Sequence, residues 1–386
     1  MPTLRTLIRI LPAAFAFVVG YSGRAADVAV QTLEHLNGLR GIQVPKEKEK
    51  TAELNARMDS TWEFVRKHRE VALPVVETEL KRAIAADPAD QFFLLDMAFL
   101  LTQENGTKDA TLAVGALERL DPAAEVIRAN WKELFDFVMR LGAGGGETDR
   151  YLAQVDRIYF SNKEDVTFFL APHYVQLNPL DVACMVYGVT GQAGASHLAH
   201  RLALPGADQK RILVILSAIG SEVDVPTVNQ VMTSATDEET IARCVTFMAE
   251  VGGPSGRAAV LARNPRNLSA AAQKKFDQSR RQVERLGFDS LVAGLTEISQ
   301  NRVSDRKLRQ LLDRMEENNG EDSETPPAMV ATSGLPTHEV LAQMKRIRAR
   351  SFRRETNHVF EDLPIANAII NALQYRLAAE AHRAKA

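Results

Sequence analysis

His197 and His200 stand three residues apart in "AGASHLAHRLALPG". On a helix that spacing puts both imidazoles on one face, where they could share a metal ion. A site needs at least a third ligand, and the nearest in sequence are His173, Asp181 and Cys184, none fixed by a ligand spacing. The pattern H-x-x-H also lacks the glutamate that serves as general base in H-E-x-x-H. A metal-dependent hydrolase on a helical scaffold is therefore the second reading of this chain, and no metal, cofactor or catalytic residue is assigned. His338 and Glu339 in "THEV" have no second histidine at the required spacing. "GAGGGE", Gly142 to Glu147, has neither the preceding strand nor the following Lys and Ser/Thr of a phosphate cradle, and reads as a flexible loop between helices. "GGPSG" around Ser255 lacks the G-x-S-x-G spacing of a strained nucleophile, so Ser255 reads as a helix cap.

The densest charge lies in "KRIRARSFRR": Lys345, Arg346, Arg348, Arg350, Arg353 and Arg354. On a helix, positions 346, 350, 353 and 354 form a basic stripe that could meet an anionic surface or an acidic protein partner. The competing expectation is a solvated face paired internally with Glu316, Glu317, Glu321, Asp322 and Glu324. Trp62 and Trp131 sit at helical apolar spacing and read as core, while Phe92, Phe93 and Phe99, with Phe168 and Phe169, could line a groove, the alternative being burial of adjacent phenylalanines against both neighbouring layers.

These residues must be held by helices. Apolar positions recur at helical spacing along the chain, and no sustained period-two run bounded by turn residues occurs, so the fold class is all-α. The chain has 386 residues, 45% hydrophobic and 25% charged, enough apolar material for a core. It opens with Arg5 and Arg9 and no acid, then an apolar run from Ile10 to Tyr21, then "GRA". That order describes a secretory signal cleaved after Ala25; the alternatives are an uncleaved anchor or a buried first helix. The run is short for a membrane span. Cleavage removes three arginines and no acid, taking the formal net charge from −2 to −5, which gives no general drive toward nucleic acid. Export would place the protein in the periplasm or outside the cell. Cys184 and Cys244 fall within apolar helical patterns and read as small buried hydrophobes rather than a disulfide.

"RILVILSAIGSEVDVPTVNQVMTSATDEETIARCVTFMAEVGG", Arg211 to Gly253, repeats one theme. Ile212, Leu213, Ile215, Leu216 and Ile219 share a face, and Gly220 ends the helix as a left-handed cap. Asp224 caps the next helix, Pro226 fits its first turn, and Val228, Val231 and Met232 form its stripe. Thr236 and Glu239 then make a capping box before Ile241, Cys244, Val245, Met248 and Val251. Weaker copies lie in Asp90 to Pro122, with Phe135, Phe137, Val138 and Leu141 following as core candidates, and in Leu180 to Gly206. Helical hairpins with one apolar face cannot bury it alone, and stacking in series solves that.

This pattern of apolar helix, Gly, short loop often with Pro, second helix and capped restart resembles HEAT-type α-helical repeats, with armadillo-like and TPR-like arrays as alternatives. The resemblance implies a curved α-solenoid used as a binding surface, and no particular chemistry. The expected organisation is a signal peptide at 1–25, an N-terminal helical cap at 26–87, the repeat array at 88–265, amphipathic helices at 266–315, an acidic flexible linker at 316–336 and a basic helical pair at 337–386. The expected role is an exported, non-enzymatic scaffold or adaptor in the cell envelope. Its partner would be a protein or envelope component rather than nucleic acid, with a possible anionic contact through the C-terminal basic helix and no transmembrane segment in the mature chain.

Overall fold

Every residue from Phe92 to Thr102 is buried in the helix Gln91–Asn105. A helix apolar on all sides belongs at the centre of a packed layer rather than on a surface. Asp90 starts it, its carboxylate accepting the Phe93 backbone N–H at 3.1 Å. The computed structural model describes residues 23–42, 48–106, 108–160, 168–170, 175–177, 179–263, 269–285, 305–317, 333–352 and 359–384. The chain divides into two units, 1–154 and 155–386.

In the first unit the helices run α1 (Gly23–Asn37), α2 (Lys48–Lys67), α3 (Arg69–Ala85), α4 (Gln91–Asn105), α5 (Ala110–Arg119), α6 (Glu125–Ala129), α7 (Trp131–Gly144) and α8 (Thr148–Val155). The central α4 packs against α3, α5, α6 and α7, which is why it is buried all round. Phe135, Phe137, Val138 and Leu141 of α7 are buried as their spacing requires. Gly142 to Gly144, expected in a flexible loop, instead complete α7. The helix stops at Gly145, whose φ of 75° and ψ of 10° are left-handed, and a Cβ at Gly146 would lie 2.4 Å from the Ala110 side chain. The glycines serve a tight helix end and a close approach, not mobility.

The second unit begins with one π-helical turn, Asp156–Phe160. Two three-residue strands, β1 (Phe168–Leu170) and β2 (Val175–Leu177), then pair antiparallel with Phe169 opposite Gln176. The remaining elements described here are helices: α9 (Pro179–Gly188), α10 (Gln192–Leu202), α11 (Gln209–Ile219), α12 (Val225–Ser234), α13 (Glu238–Glu250), α14 (Gly253–Ala262), α15 (Ala270–Arg285), α16 (Asp305–Glu317), α17 (Thr337–Ser351) and α18 (Val359–Arg383). The fold class is all-α. Helices α9, α11, α13 and α15 are successive neighbours, and so are α10, α12 and α14, giving two layers. The stripes Ile212 to Ile219, Val228 to Met232 and Ile241 to Val251 are buried at the positions their spacing picks out.

The ends of these helices differ from expectation in three places. Gly220 is extended, with φ −69° and ψ −179°, not left-handed. Space is the reason for a glycine here: a Cβ would come within 2.6 Å of the Leu216 carbonyl oxygen and 2.7 Å of the Phe247 ring. Asp224 holds the N-cap position of α12 as expected, but its carboxylate reaches back to the Ser221 N–H at 2.9 Å instead of into α12, completing a capping box on the short 3-10 turn Glu222–Asp224 that Ser221 caps. The cap of α13 is Asp237, which accepts from the Thr240 N–H at 2.9 Å, one residue past the expected Thr236. Ser, Thr and Asp are interchangeable caps by chemistry, so adjacent candidates are not separable by type alone.

Candidate functional site

The two histidines separate in role. His197 lies on α10 with Nε2 3.0 Å from Asp156 Oδ2, while His200, in the last turn, is exposed. Asp156 sits on the π-turn, and its carboxylate also accepts from the Tyr187 hydroxyl of α9 and pairs with Arg201 of α10. Burial pushes this carboxyl upward, but the bonds from His197 and Tyr187 and the charges of His197 and Arg201 outweigh it and hold Asp156 below the ordinary aspartate value. The arrangement ties the π-turn to α9 and α10 and fixes the His197 ring. Cys184 and Cys244 are buried and form no disulfide, and burial pushes the Cys244 thiol up to about 12. His173 and the side chain of Asp181 lie outside the described residues. Among the described residues no three His, Cys, Asp or Glu side chains group to hold a metal ion. Ser255 lies inside α14 and donates to Glu222 at 2.6 Å instead of capping the helix, the N-cap being Gly252.

The basic cluster is divided too. Arg346 is exposed and pairs with Glu316 at 2.8 Å, the internal acid expected as its alternative partner, which stands on α16. Lys345 is exposed. Arg348 turns inward: its Nη1 donates to the Gly220 carbonyl and to Asn367 Oδ1, both at 2.9 Å. Burial brings its guanidinium down to about 10, with Asp224 opposing the shift. The side chain of Arg350, and Arg353 and Arg354 altogether, lie outside the described residues.

Arg348 belongs to a polar seam. On α18, Asn367 Nδ2 donates to the Ala218 carbonyl at 3.0 Å, and Asn371 Nδ2 donates to the Ala249 carbonyl at 3.1 Å. Asn371 Oδ1 accepts the Gly253 N–H at 3.1 Å, and the Tyr375 hydroxyl donates to the Gly253 carbonyl at 3.2 Å. Ala218 and Ala249 stand in the last turns of α11 and α13, where backbone carbonyls have no partner within the helix. At the far side, Phe352 fills the space over Gly188, where a Cβ would meet its ring at 2.5 Å. The expected stripe missed this seam. Its signal was Asn367 and Asn371 one turn apart in "IANAIINALQY", two amides amid apolar residues, which require buried partners.

A second overlooked group lies in the first unit. Asp96, in the middle of α4, is 4% exposed and accepts the Trp62 indole N–H at 3.1 Å. Burial lifts its carboxyl to about 7 against the Trp62 bond, with Glu133 adding to the rise. Trp62, expected in the core, is half-buried with its ring edge-on to Phe99, centroids 5.3 Å apart.

Compared with protein-family models, curated proteins and solved structures, the chain matches none of them. Among the described residues no helix is long and apolar enough to cross a membrane.

Proposed function

We propose that the chain is an exported, non-enzymatic repeat protein of the HEAT type, an α-solenoid that acts as a protein-binding scaffold or adaptor in the cell envelope. The observation that carries this reading is the order of the second unit: alternate helices from α9 to α15 neighbour one another in two layers. Bonds one hairpin apart support it, since Gln192 donates to Asp224 at 3.2 Å and Ser255 to Glu222 at 2.6 Å, over separations of 32 and 33 residues. Stacked hairpins consume their backbone bonds internally and leave long surfaces whose side chains vary freely, which suits them to holding a partner. The opening basic and apolar residues support export.

Fractionation of cells making the full chain, with N-terminal sequencing of the exported form, tests location: a mature protein starting at Ala26 is expected. In-cell cross-linking then tests the role, a protein joined at fixed stoichiometry and rebinding from purified components being the expected result. A chain retained in the cytoplasm, or hydrolytic activity lost together with bound metal when His197 and His200 are replaced, contradicts it.

A further inference from the structure

The C-terminal helices have a core of their own. Leu308 and Leu312 of α16, Met344 and Ile347 of α17, and Ile369 and Leu373 of α18 bury against one another in a single cluster formed within α16–α18 and the residues leading into α17. The seam between this three-helix module and the helices beneath it adds hydrogen bonds to apolar packing, with Phe352 seated on Gly188 of α9 and Tyr375 buried against Gly253 of α14. It carries five hydrogen bonds between side chains and backbone groups, four donated by Arg348, Asn367, Asn371 and Tyr375 and one accepted by Asn371 from the Gly253 N–H. A body with its own core and a seam of mixed apolar and hydrogen-bonded contacts resembles a partner that docks, not a layer that completes the fold.

The seam also has a repeat. Asn367 and Asn371 are one turn apart, a rise of about 6 Å, and their acceptors end two helices packed side by side, a spacing of about 8–10 Å. Side-chain length spans the difference, so one carboxamide serves each helix end. The last carbonyls of α11 and α13 are the negative ends of aligned backbone dipoles and call for donors. Arg348 answers the same need at Gly220.

We propose that α16–α18 is a reversible latch, and that the ridge of helix ends beneath it, Ala218, Gly220, Ala249 and Gly253, is a docking surface for an amphipathic helix bearing carboxamides at i and i+4. This deepens, and rests on, the reading of α9–α14 as a binding scaffold. In the latched state α18 is the chain's own ligand, and a partner helix of like chemistry competes with it.

The test uses the full chain and a fluorescent synthetic peptide of residues 359–383. In the full chain, Asn367→Ala with Asn371→Ala weakens the latch while leaving the ridge backbone intact. The peptide should bind this variant about tenfold or more tightly than the unaltered chain, the scale set by losing such hydrogen bonds. A peptide carrying the same two alanines should lose that binding. Equal binding to both chains, or by both peptides, overturns the proposal. Should the variant lose helicity, hydrogen exchange of the unaltered chain in mild denaturant decides: α16–α18 should open together before α11 and α13, and one shared opening overturns the latch. Peptide binding without any envelope partner would leave the latch standing and remove the scaffold reading; the reverse result removes the latch alone.

Discussion

Trp62 donates its indole N–H to Asp96, joining α2 to the middle of the most deeply buried helix of the first unit, with 3.1 Å between Nε1 and Oδ1. The pair leaves a carboxyl with one donor in an apolar setting, and the carboxyl responds by holding its proton up to about pH 7. Arg66, stacked over the Trp62 ring at 5.8 Å, and Arg140, over Phe99 at the same distance, lie against the aromatic rings.

Stability should therefore depend on pH with a definite sign. Unfolded, Asp96 titrates near its ordinary value of 3.8. Between about pH 4 and 7 the folded chain keeps a proton that the unfolded chain releases, so this group's contribution falls as pH rises through that window, by about 4 kcal/mol at most. Asp96→Asn retains an acceptor for Trp62 and cannot ionise. Urea unfolding should find it more stable than the unaltered protein at pH 8, by about 2 kcal/mol, and no more stable at pH 4. Parallel pH profiles for the two proteins would contradict this account of Asp96.

Asp156 predicts the opposite sign. Its carboxyl is held below 3.8, so its stabilising effect is present above that value and is lost as pH falls through the lower, folded one. Asp156→Ala removes the carboxylate shared by the Tyr187 hydroxyl, His197 and Arg201 and should cost about 2 kcal/mol at pH 7. His197→Ala removes one bond and should cost about 1 kcal/mol. Chemical denaturation of both variants at pH 7 checks the order.

Gly220→Ala should destabilise by about 1–3 kcal/mol, the usual range for overpacking, because the new methyl meets a carbonyl of its own helix and the Phe247 ring of the next layer member. Pairing it with Phe247→Leu should recover part of the loss if the ring is the obstacle. Thermal melts of the single and double variants measure both effects.

Arg348 and Arg346, two residues apart, should behave differently. Arg348→Ala removes donors to Gly220 and Asn367 and should cost about 2 kcal/mol. Arg346→Ala breaks an exposed pair with Glu316 and should leave the melting temperature unmoved. Equal losses would mean that the basic segment acts through charge alone.

The sequence made the helices legible where burial follows local spacing. Ile212 to Ile219 and Ile241 to Val251 repeat every turn, and Asp90 and Gly106 flank α4 at the ends of its apolar run. The reason for Gly220 was hidden, because its tightest obstacle besides its own helix is Phe247, and only packing brings that ring near. The seam was hidden for the same cause: Asn367 and its acceptor Ala218 are 149 residues apart. The histidine spacing correctly placed His197 and His200 on one helix, but the group that engages His197 is Asp156, 41 residues upstream on a turn whose π geometry no periodicity announces. Charge density drew attention to Lys345 to Arg354, whereas the contact to the helix ends falls to its inward-facing member, Arg348.

The central claim is that neighbouring hairpins of the second unit bury one another's apolar faces. Phe247, fully buried on α13 beside Gly220 at the end of α11, sits where two hairpins meet. Hydrogen exchange of Phe247→Ala tests this most directly. The account predicts that protection falls in α11 and α12 together with α13, by an amount matching a loss of about 3–5 kcal/mol. Loss of protection confined to α13, with α11 and α12 unchanged, would contradict it.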